Sequence, residues 1–519
     1  MPIESVQLPK LRDYFFSMKQ FKFPSPFTVL YIIIIVSAIA TWLMPAGSYE
    51  TLTWESGHAP GGYFKIIRNN GIVENPLATQ NLLDSLGLKI DLAKFQEGKV
   101  SKPVSIPGTY TEMDESSPQG FWAIITAPIK GVYNTIDIIL FVLIIGGFIG
   151  VFGHSGAMDQ GVGALSRALK GREKWLIVIV TSLMALGATT FGLQEETIAF
   201  YPILVPIFMA AGYDLIVPVA CVYGGSCVGL MGAMINPFST IIASDAAGVN
   251  WTVGMNSRLA MLVIALVVII LFIIRYAERV KKDPTQSILY GKDIKNPFAS
   301  KEVVVTSESL SWRTRILLIF FALTFVLMIF GVSNLGWWFE EMTALFLVAA
   351  VILGLIQRTG EHAFIQAFIS GAKDLLGVSL IIGVARGITI IMDDGQISGT
   401  ILNEASTLVG GVSGSLFLPI LMIVFFVLAF FISSSSGLAV VSMPIMGALA
   451  NVVGVPTEEI VNAYLFGFGL MQFITPAGII LPSLSMVNVP FNTWLKFIWP
   501  LMLMLGGVGV IVLIAGLAL

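Results

Sequence analysis

The sequence predicts an all-α polytopic membrane protein with two inverted-topology repeats, each holding a re-entrant helical hairpin and a discontinuous transmembrane helix. Three observations carry that expectation. Of 519 residues, 56% are hydrophobic and only 12% charged, against roughly 25% charged in soluble chains, so lipid replaces water around most of the surface. Segments 121–275 and 364–517 show the same order of amphipathic stretches, apolar spans and apolar runs with a polar centre. Prolines interrupt apolar sequence at matching places in both.

Several function classes drop out early. A net charge of −3 gives no reason to expect nucleic acid. Cys221 and Cys227 lie in apolar sequence with no zinc or redox spacing, and read as packing residues. His58, His154 and His362 are scattered and form no metal-ligand set. No P-loop for nucleotide drive is present, no catalytic dyad is visible, and no cofactor is expected. A channel does not require paired broken repeats, so a secondary carrier of a small charged metabolite is the best match.

Along the chain, residues 1–45 hold a polar start with Lys10, Arg12, Lys19 and Lys22, then an 18-residue apolar run, Phe27–Met44. That run is long enough for a roughly 30 Å hydrocarbon core and too long for a signal peptide's apolar region. The positive-inside rule then puts the N-terminus in the cytoplasm of a bacterial inner membrane. Residues 46–120 form an external loop with a little structure of its own, holding nine acidic and six basic residues over 46–119. Repeat 1 spans 121–275. Within it, the amphipathic stretch Met158–Leu169 and the cluster Arg167, Lys170, Arg172 and Lys174 suit the cytoplasmic surface. A cytoplasmic linker occupies 276–312; nine Lys/Arg face five Asp/Glu over 275–315, Lys295 and Lys301 among them. Two linking spans fall in 313–360, at about 314–332 and 341–356, joined by an interface turn at Trp337-Trp338. Repeat 2 covers 361–519 and ends outside.

The two repeats correspond closely. Phe121–Ile136 and Phe364–Gly377 open them as amphipathic stretches, followed by apolar spans 137–153 and 378–392. A polar turn follows each. Thr189–Thr197 and Phe431–Gly437 then mark the polar centres of long apolar runs. Pro206-Ile207 and Pro444-Ile445 come next; Asn236-Pro237 lies 30 residues beyond Pro206, and Thr475-Pro476 31 beyond Pro444. The first half starts outside and ends at the basic linker, and the second starts inside. Inverted repeats of this kind are a hallmark of secondary transporters.

The broken segments carry the candidate chemistry. Trp175–Ala211 and Phe417–Val452 read as re-entrant hairpins with buried tips, two full spans each being the alternative. Non-helical backbone at membrane depth survives only inside protein or beside a water-filled cavity, so the tips should line one. Proline frees a carbonyl, and Asn236, Ser239, Thr240 and Thr475 add oxygens suited to a substrate or a small cation; sodium at Asn236 and Thr475, or a proton, is the candidate coupling ion. Thr190, Gln194, Glu195, Glu196 and Thr197 belong to the first tip, and Ser433, Ser434, Ser435 and Ser436 to the second. A carboxylate at membrane depth costs about 2.5–3.5 kcal/mol. Glu195 and Glu196 therefore face either external solvent or the cavity, where they bind a cation, take up a proton or pair with Arg386. Arg386, alone in the apolar span 378–392, is either a structural salt-bridge partner or an anion-binding group. Asp393 and Asp394 read as solvated helix-end residues.

The segments Phe191–Phe200, Ile235-Asn236-Pro237-Phe238, Ser433–Gly437 with Pro444, and Val489–Lys496 resemble YfcC-type members of the DcuC-like (anaerobic four-carbon-dicarboxylate carrier) family, in the ion transporter superfamily. The resemblance covers nearly the whole chain. It implies transport, two hairpins with two broken helices, a homodimer, and an elevator-like motion of the hairpin domain. Distantly related divalent-anion carriers have Ser-Asn-Thr at the tips; here the first tip reads Gln194-Glu195-Glu196-Thr197. Two negative charges there repel a dicarboxylate. Some relatives are described as basic amino acid exchangers, which suits the glutamates better, so a basic amino acid is the leading cargo and a sodium- or proton-coupled carboxylate the alternative.

Overall fold

A backbone in lipid must satisfy its own hydrogen bonds, and the long apolar runs do so as helices. The computed structural model describes residues 24–517 except 57–61, 89, 97–99, 101–102, 114–116, 159, 162–163, 165–166, 168–170, 293, 295–296, 299–309, 336, 411–415 and 454. The basic start with Lys10, Arg12, Lys19 and Lys22 lies outside the described residues, as do Lys170, Lys295, Lys301 and parts of 158–169. Among the described residues, seven helices are long and apolar enough to cross a membrane.

Helix α1 (Pro26–Leu43) begins with proline at its first position and Ser25 as cap, its side chain accepting from the Thr28 N–H at 3.3 Å. A small β-domain follows. β1 (Gly47–Ser48) pairs with β6 (Thr111–Glu112), and β2 (Thr51–Glu55), β3 (Tyr63–Ile67), β4 (Val73–Glu74) and β5 (Val104–Ser105) form a sheet in the order β4-β3-β2-β5. Alternation buries Leu52, Phe64, Ile66 and Val104 against Leu83 of α2 (Gln80–Ser85) and Phe95 of α3 (Leu92–Gln96).

The helical body continues with α4 (Phe121–Asn134), α5 (Ile136–His154), α6 (Lys174–Phe191), α7 (Tyr201–Ala210), α8 (Ile216–Met231), α9 (Ile242–Ala247) and α10 (Met255–Lys282). Then come α11 (Trp312–Leu335), α12 (Phe339–Gln357), α13 (Glu361–Asp394), α14 (Ser398–Gly410), α15 (Phe417–Phe431), α16 (Ser435–Val453), α17 (Thr457–Gln472), α18 (Ile480–Met486) and α19 (Phe491–Gly516). Outward-facing Leu43, Ile179, Leu271, Ile319, Leu355 and Ile511 are exposed, as a lipid-facing surface requires.

Helix α10 has 28 residues, or roughly 42 Å at 1.5 Å per residue, and gives the body two faces. Both feet of the first hairpin stand at its C-terminal end. Lys174 pairs with Glu278 at 3.3 Å, Glu173 with Lys281 at 3.1 Å, and Tyr276 donates to Asp214 at 2.6 Å. Helix α7 has only 10 residues, roughly 15 Å, about half the hydrocarbon core, so 201–210 is not a full span. The arms of this hairpin are unequal, because the six residues Glu195–Phe200 form a tighter 3₁₀ turn.

At the other end of α10, Ser257 donates to Glu459 at 2.8 Å and Asn462 to the Gly254 carbonyl at 3.3 Å. The β-domain lies on this side. Lys94 of α3 pairs with Asp245 of α9 at 3.4 Å, α16 packs against β5, and Tyr110 donates to Thr400 of α14 at 3.2 Å. The second hairpin, α15–α16, therefore stands on the β-domain side. Helices α8 and α9 run from the linker side to the β-domain side, and α17–α18 run back to Lys292, which donates to Thr493 at 2.6 Å.

Two boundaries differ from the sequence reading. Residues 364–377 and 378–392 are one 34-residue helix, α13, because no breaker separates the amphipathic and apolar parts. Arg275, Arg279, Lys281 and Lys282 belong to the end of α10 rather than to a linker; cations there offset the helix dipole. Helices α4 and α5 run antiparallel along α13 through glycines. A Cβ on Gly131 would lie 2.1 Å from the Gly383 carbonyl oxygen, and one on Gly371 2.1 Å from that of Gly146. Such direct backbone contact is a favoured way to join helices in lipid.

Candidate functional site

Helix α6 ends at Gly192 in the left-handed region, φ 83°. A Cβ there would lie 2.8 Å from Phe238 Cδ2 and 3.2 Å from Asn236 Oδ1, so only glycine lets the first tip rest on the first helix break. Asn236 caps the half-helix that follows. Its Oδ1 accepts from the Phe238 and Ser239 N–H groups at 2.9 and 3.1 Å, and its Nδ2 donates to the Ala188 carbonyl at 2.9 Å. Glu196, 7% exposed, accepts from the Gln194 N–H at 3.1 Å.

The second tip reaches the same place from the opposite side. Ser434 Oγ accepts from the Gly437 N–H at 3.1 Å, and Ser435 Oγ approaches the Phe238 carbonyl at 3.5 Å. Tyr464 of α17 holds the tip by donating to the Ser435 carbonyl at 2.8 Å. Both tips thus meet around Phe238, whose ring lies 4.9 Å from that of Trp338.

A cavity of about 320 Å³ opens between them. Gln194, Glu195, Glu196, Asn236, Arg386 and Ser433–Ser436 all line it. The other candidates do not. Thr190 bonds back to the Leu186 carbonyl at 2.6 Å, Thr197 to that of Gln194 at 2.5 Å, and Thr240 to that of Ala233 at 2.8 Å. Ser239 and Thr475 are fully buried and absent from the cavity wall.

The breaks also offer fewer carbonyls than expected. The Gly232 carbonyl accepts from Thr189 at 2.8 Å, that of Gln472 from Tyr223 at 2.6 Å, and that of Phe473 from Trp494 Nε1 at 2.8 Å. Asn236 Oδ1 is engaged in capping, and Thr475 Oγ1 contacts the Phe430 carbonyl at 3.5 Å. This geometry does not favour the sodium position at Asn236 and Thr475, because the oxygens meant to replace a hydration shell already serve the fold. No group of three or more His, Cys, Asp or Glu able to hold a metal occurs among the described residues.

Several lining residues were missed, and four of them bear on the chemistry. Asp137 opens α5, where its carboxylate also suits the helix N-terminus; a single acid at the edge of an apolar span was the available signal. Trp338 and Phe339 form one wall, although the tryptophan pair reads in sequence as an interface anchor. Gln472 closes α17 just before the second break and is 1% exposed. An isolated amide in an apolar helix three residues before Thr475-Pro476 could have marked it.

Asp137, Glu195 and Glu196 set three carboxylates against the single guanidinium of Arg386. Hydroxyl, aromatic, amide and aliphatic groups fill the rest of the wall. Such a site can hold and orient a small ion bearing both signs; no activated nucleophile stands in it.

A family model described as DcuC, C4-dicarboxylate anaerobic carrier, matches residues 23–518. An uncharacterized protein of Haemophilus influenzae is 39% identical over 504 residues, covering 96% of this chain and 98% of its own. The putative basic amino acid antiporter YfcC of Escherichia coli is 26% identical over 496 residues, covering 92% and 93%. Among solved structures, the Alcanivorax borkumensis YdaH transporter is similar at 13% identity and a TM-score of 0.38, over 95% of this chain and 98% of that one. Neisseria gonorrhoeae MtrF, from a class of antimetabolite efflux pumps, is similar at 15% identity and a TM-score of 0.38, over 95% of each chain.

Proposed function

Because this chain belongs to the DcuC family of C4-dicarboxylate anaerobic carriers, and is a multi-pass membrane transporter, we propose that its cargo is a basic amino acid, moved by exchange or ion coupling. The observation that carries this reading is the charge of the cavity. Three carboxylates and one guanidinium line it, a formal excess of two negative charges. A dicarboxylate adds two negative charges to that balance, whereas an amino acid with a cationic side chain adds one positive charge. The bare name of the Escherichia coli relative agrees.

The cavity wall joins two groups of elements. Asp137, Trp338 and Arg386 come from α5, the start of α12 and α13; the remaining charges and serines come from the hairpins. That division supports an elevator-like motion of the hairpins and broken helices against α4, α5 and α13. We place the linker face in the cytoplasm of the inner membrane, the C-terminus outside, and the carrier in a homodimer. The second reading, a sodium- or proton-coupled carboxylate carrier, is favoured by Arg386 in the same wall and by the family's description.

Thermal-shift screening of the purified protein separates the two. Arginine, lysine and ornithine should raise the melting temperature with increasing concentration, and succinate and fumarate should not, with or without sodium. Stabilisation by a dicarboxylate and by no basic amino acid would reverse the assignment.

A further inference from the structure

Two side-chain amides in the cavity wall have donors with no acceptor among the described residues. Gln472 Nε2 is buried and meets no acceptor among the described residues, and Gln194 Nε2 is in the same state. Both residues line the cavity. Gln194 stands at the first hairpin tip and Gln472 at the second helix break, one from each half of the chain. The Gln472 amide lies over the break, where a Cβ on Gly478 would stand 2.8 Å from its Oε1.

A primary amide nitrogen can only donate, and a buried donor left unbonded is costly. The nearby carbonyls loosened by the breaks each already accept a bond, from Thr189, Thr240, Tyr223 and Trp494. A cargo that brings its own acceptor would supply the missing partner once each amide turns its nitrogen into the cavity. A carboxylate supplies two oxygens and about four lone-pair positions, enough for one donor from each amide.

We propose that Gln472 and Gln194 are specificity-determining residues that receive the α-carboxylate of the cargo, while Glu195 and Glu196 receive its cationic end. This inference rests on the amino acid reading above and deepens it. It makes the carrier select amino acids against the amines that remain when the carboxylate is lost. The selection runs against bulk electrostatics, since agmatine carries one more net positive charge than arginine and should be favoured by a cavity of net negative charge.

Direct binding of arginine and agmatine to the purified full-length protein tests this. Wild type should bind arginine at least tenfold more tightly, because a site built to hydrogen-bond a group rejects the analogue lacking it. Gln472→Leu and Gln194→Leu should weaken arginine binding at least tenfold and leave agmatine within about twofold, collapsing the preference. Gly478→Ala pushes the Gln472 amide aside without changing its chemistry and should act in the same direction. Elution profile and melting temperature without ligand report folding. The Gln472 carbonyl keeps its bond to Tyr223 whatever the side chain, so a well-folded variant is expected. Equal binding of the two ligands by wild type, or a folded Gln472→Leu that keeps the preference, overturns the inference and leaves the amino acid reading standing. Binding of neither ligand by wild type overturns the reading itself, and the inference with it.

Discussion

Replacing Gly192 with alanine tests whether the site depends on the first tip resting on the first break. At φ 83°, a residue with a Cβ pays about 1–2 kcal/mol for the left-handed conformation. The new methyl also meets Phe238 Cδ2 at 2.8 Å and Asn236 Oδ1 at 3.2 Å. The ring can turn aside, but Asn236 cannot move without loosening its bonds to the Phe238 and Ser239 N–H groups, each worth about 1 kcal/mol net. The sum is about 2–4 kcal/mol against the seated tip. If cargo binds only the seated tip, the apparent dissociation constant rises as the reciprocal of the seated fraction, by up to roughly 30-fold to several hundredfold for a tip near balance in the wild type. Arginine titration of the purified variant, by calorimetry or thermal shift, reads this directly. Gly156→Ala is the control, since Gly156 is also left-handed, at φ 67°, with nothing within 4 Å of an added Cβ. It should lose some stability and no affinity. Arginine affinity within twofold of wild type in Gly192→Ala would mean that tip geometry does not control the site.

Three further outcomes follow from the same geometry. Glu195→Gln and Glu196→Gln should each reduce arginine uptake by roughly 10- to 100-fold, the loss of a charge-assisted bond, at unchanged yield; unchanged uptake in both removes the carboxylates from the binding role. Gly371→Leu forces α13 away from α5, because even a Cβ meets the Gly146 carbonyl oxygen at 2.1 Å; the cost is about 3 kcal/mol or more, read as a lower melting temperature. In the β-domain, Arg68 bonds Glu74 at 3.0 Å and Glu50 at 2.6 Å and holds the Glu74 carboxyl below its usual 4.5. A carboxyl depressed in the folded state stabilises above its unfolded pKa and loses that contribution as pH falls through the folded one. Pepsin cleavage within 63–74, divided by its rate on an unfolded control substrate at each pH, should therefore increase as pH drops from about 5 to about 3, and Arg68→Met should flatten that dependence.

The breaks and tips were legible because proline, glycine and charge in an apolar run violate local rules that only an internal cavity tolerates. Asn236, Glu196 and Ser434 were singled out on that ground, and all three line the cavity. Which atoms turn into the cavity was not legible. Thr190 lies beside the tip in sequence, yet its hydroxyl bonds one turn back to Leu186. Asp137 enters the cavity wall only because α4 and α5 part at Thr135 and pack along α13. That depends on glycine contacts between segments more than 200 residues apart, which periodicity in one segment does not report. The external loop was expected to hold some structure, but its strands escaped for a related reason. Its strands are two to five residues long, and β2 pairs with β5, joining Thr51 to Ser105.

The division of charges between the two groups of elements gives the proposed motion a physical logic. Backbone contact at Gly131, Gly146, Gly371 and Gly383 leaves no space for α13 to slide along α4 and α5, so these helices act as one wall. That wall brings Asp137 and Arg386 to the cavity, one charge of each sign, for a sum near zero. The first hairpin brings Glu195 and Glu196, both negative. In the proposed motion, cargo travelling with the hairpins would keep its cationic end against the two glutamates and pass a wall that holds neither sign strongly. A fixed wall with a large charge of one sign would favour one end of the path and trap the cargo there. Near-neutrality on α5 and α13, with excess charge on the moving tip, is the arrangement that lets binding be firm and passage remain shallow.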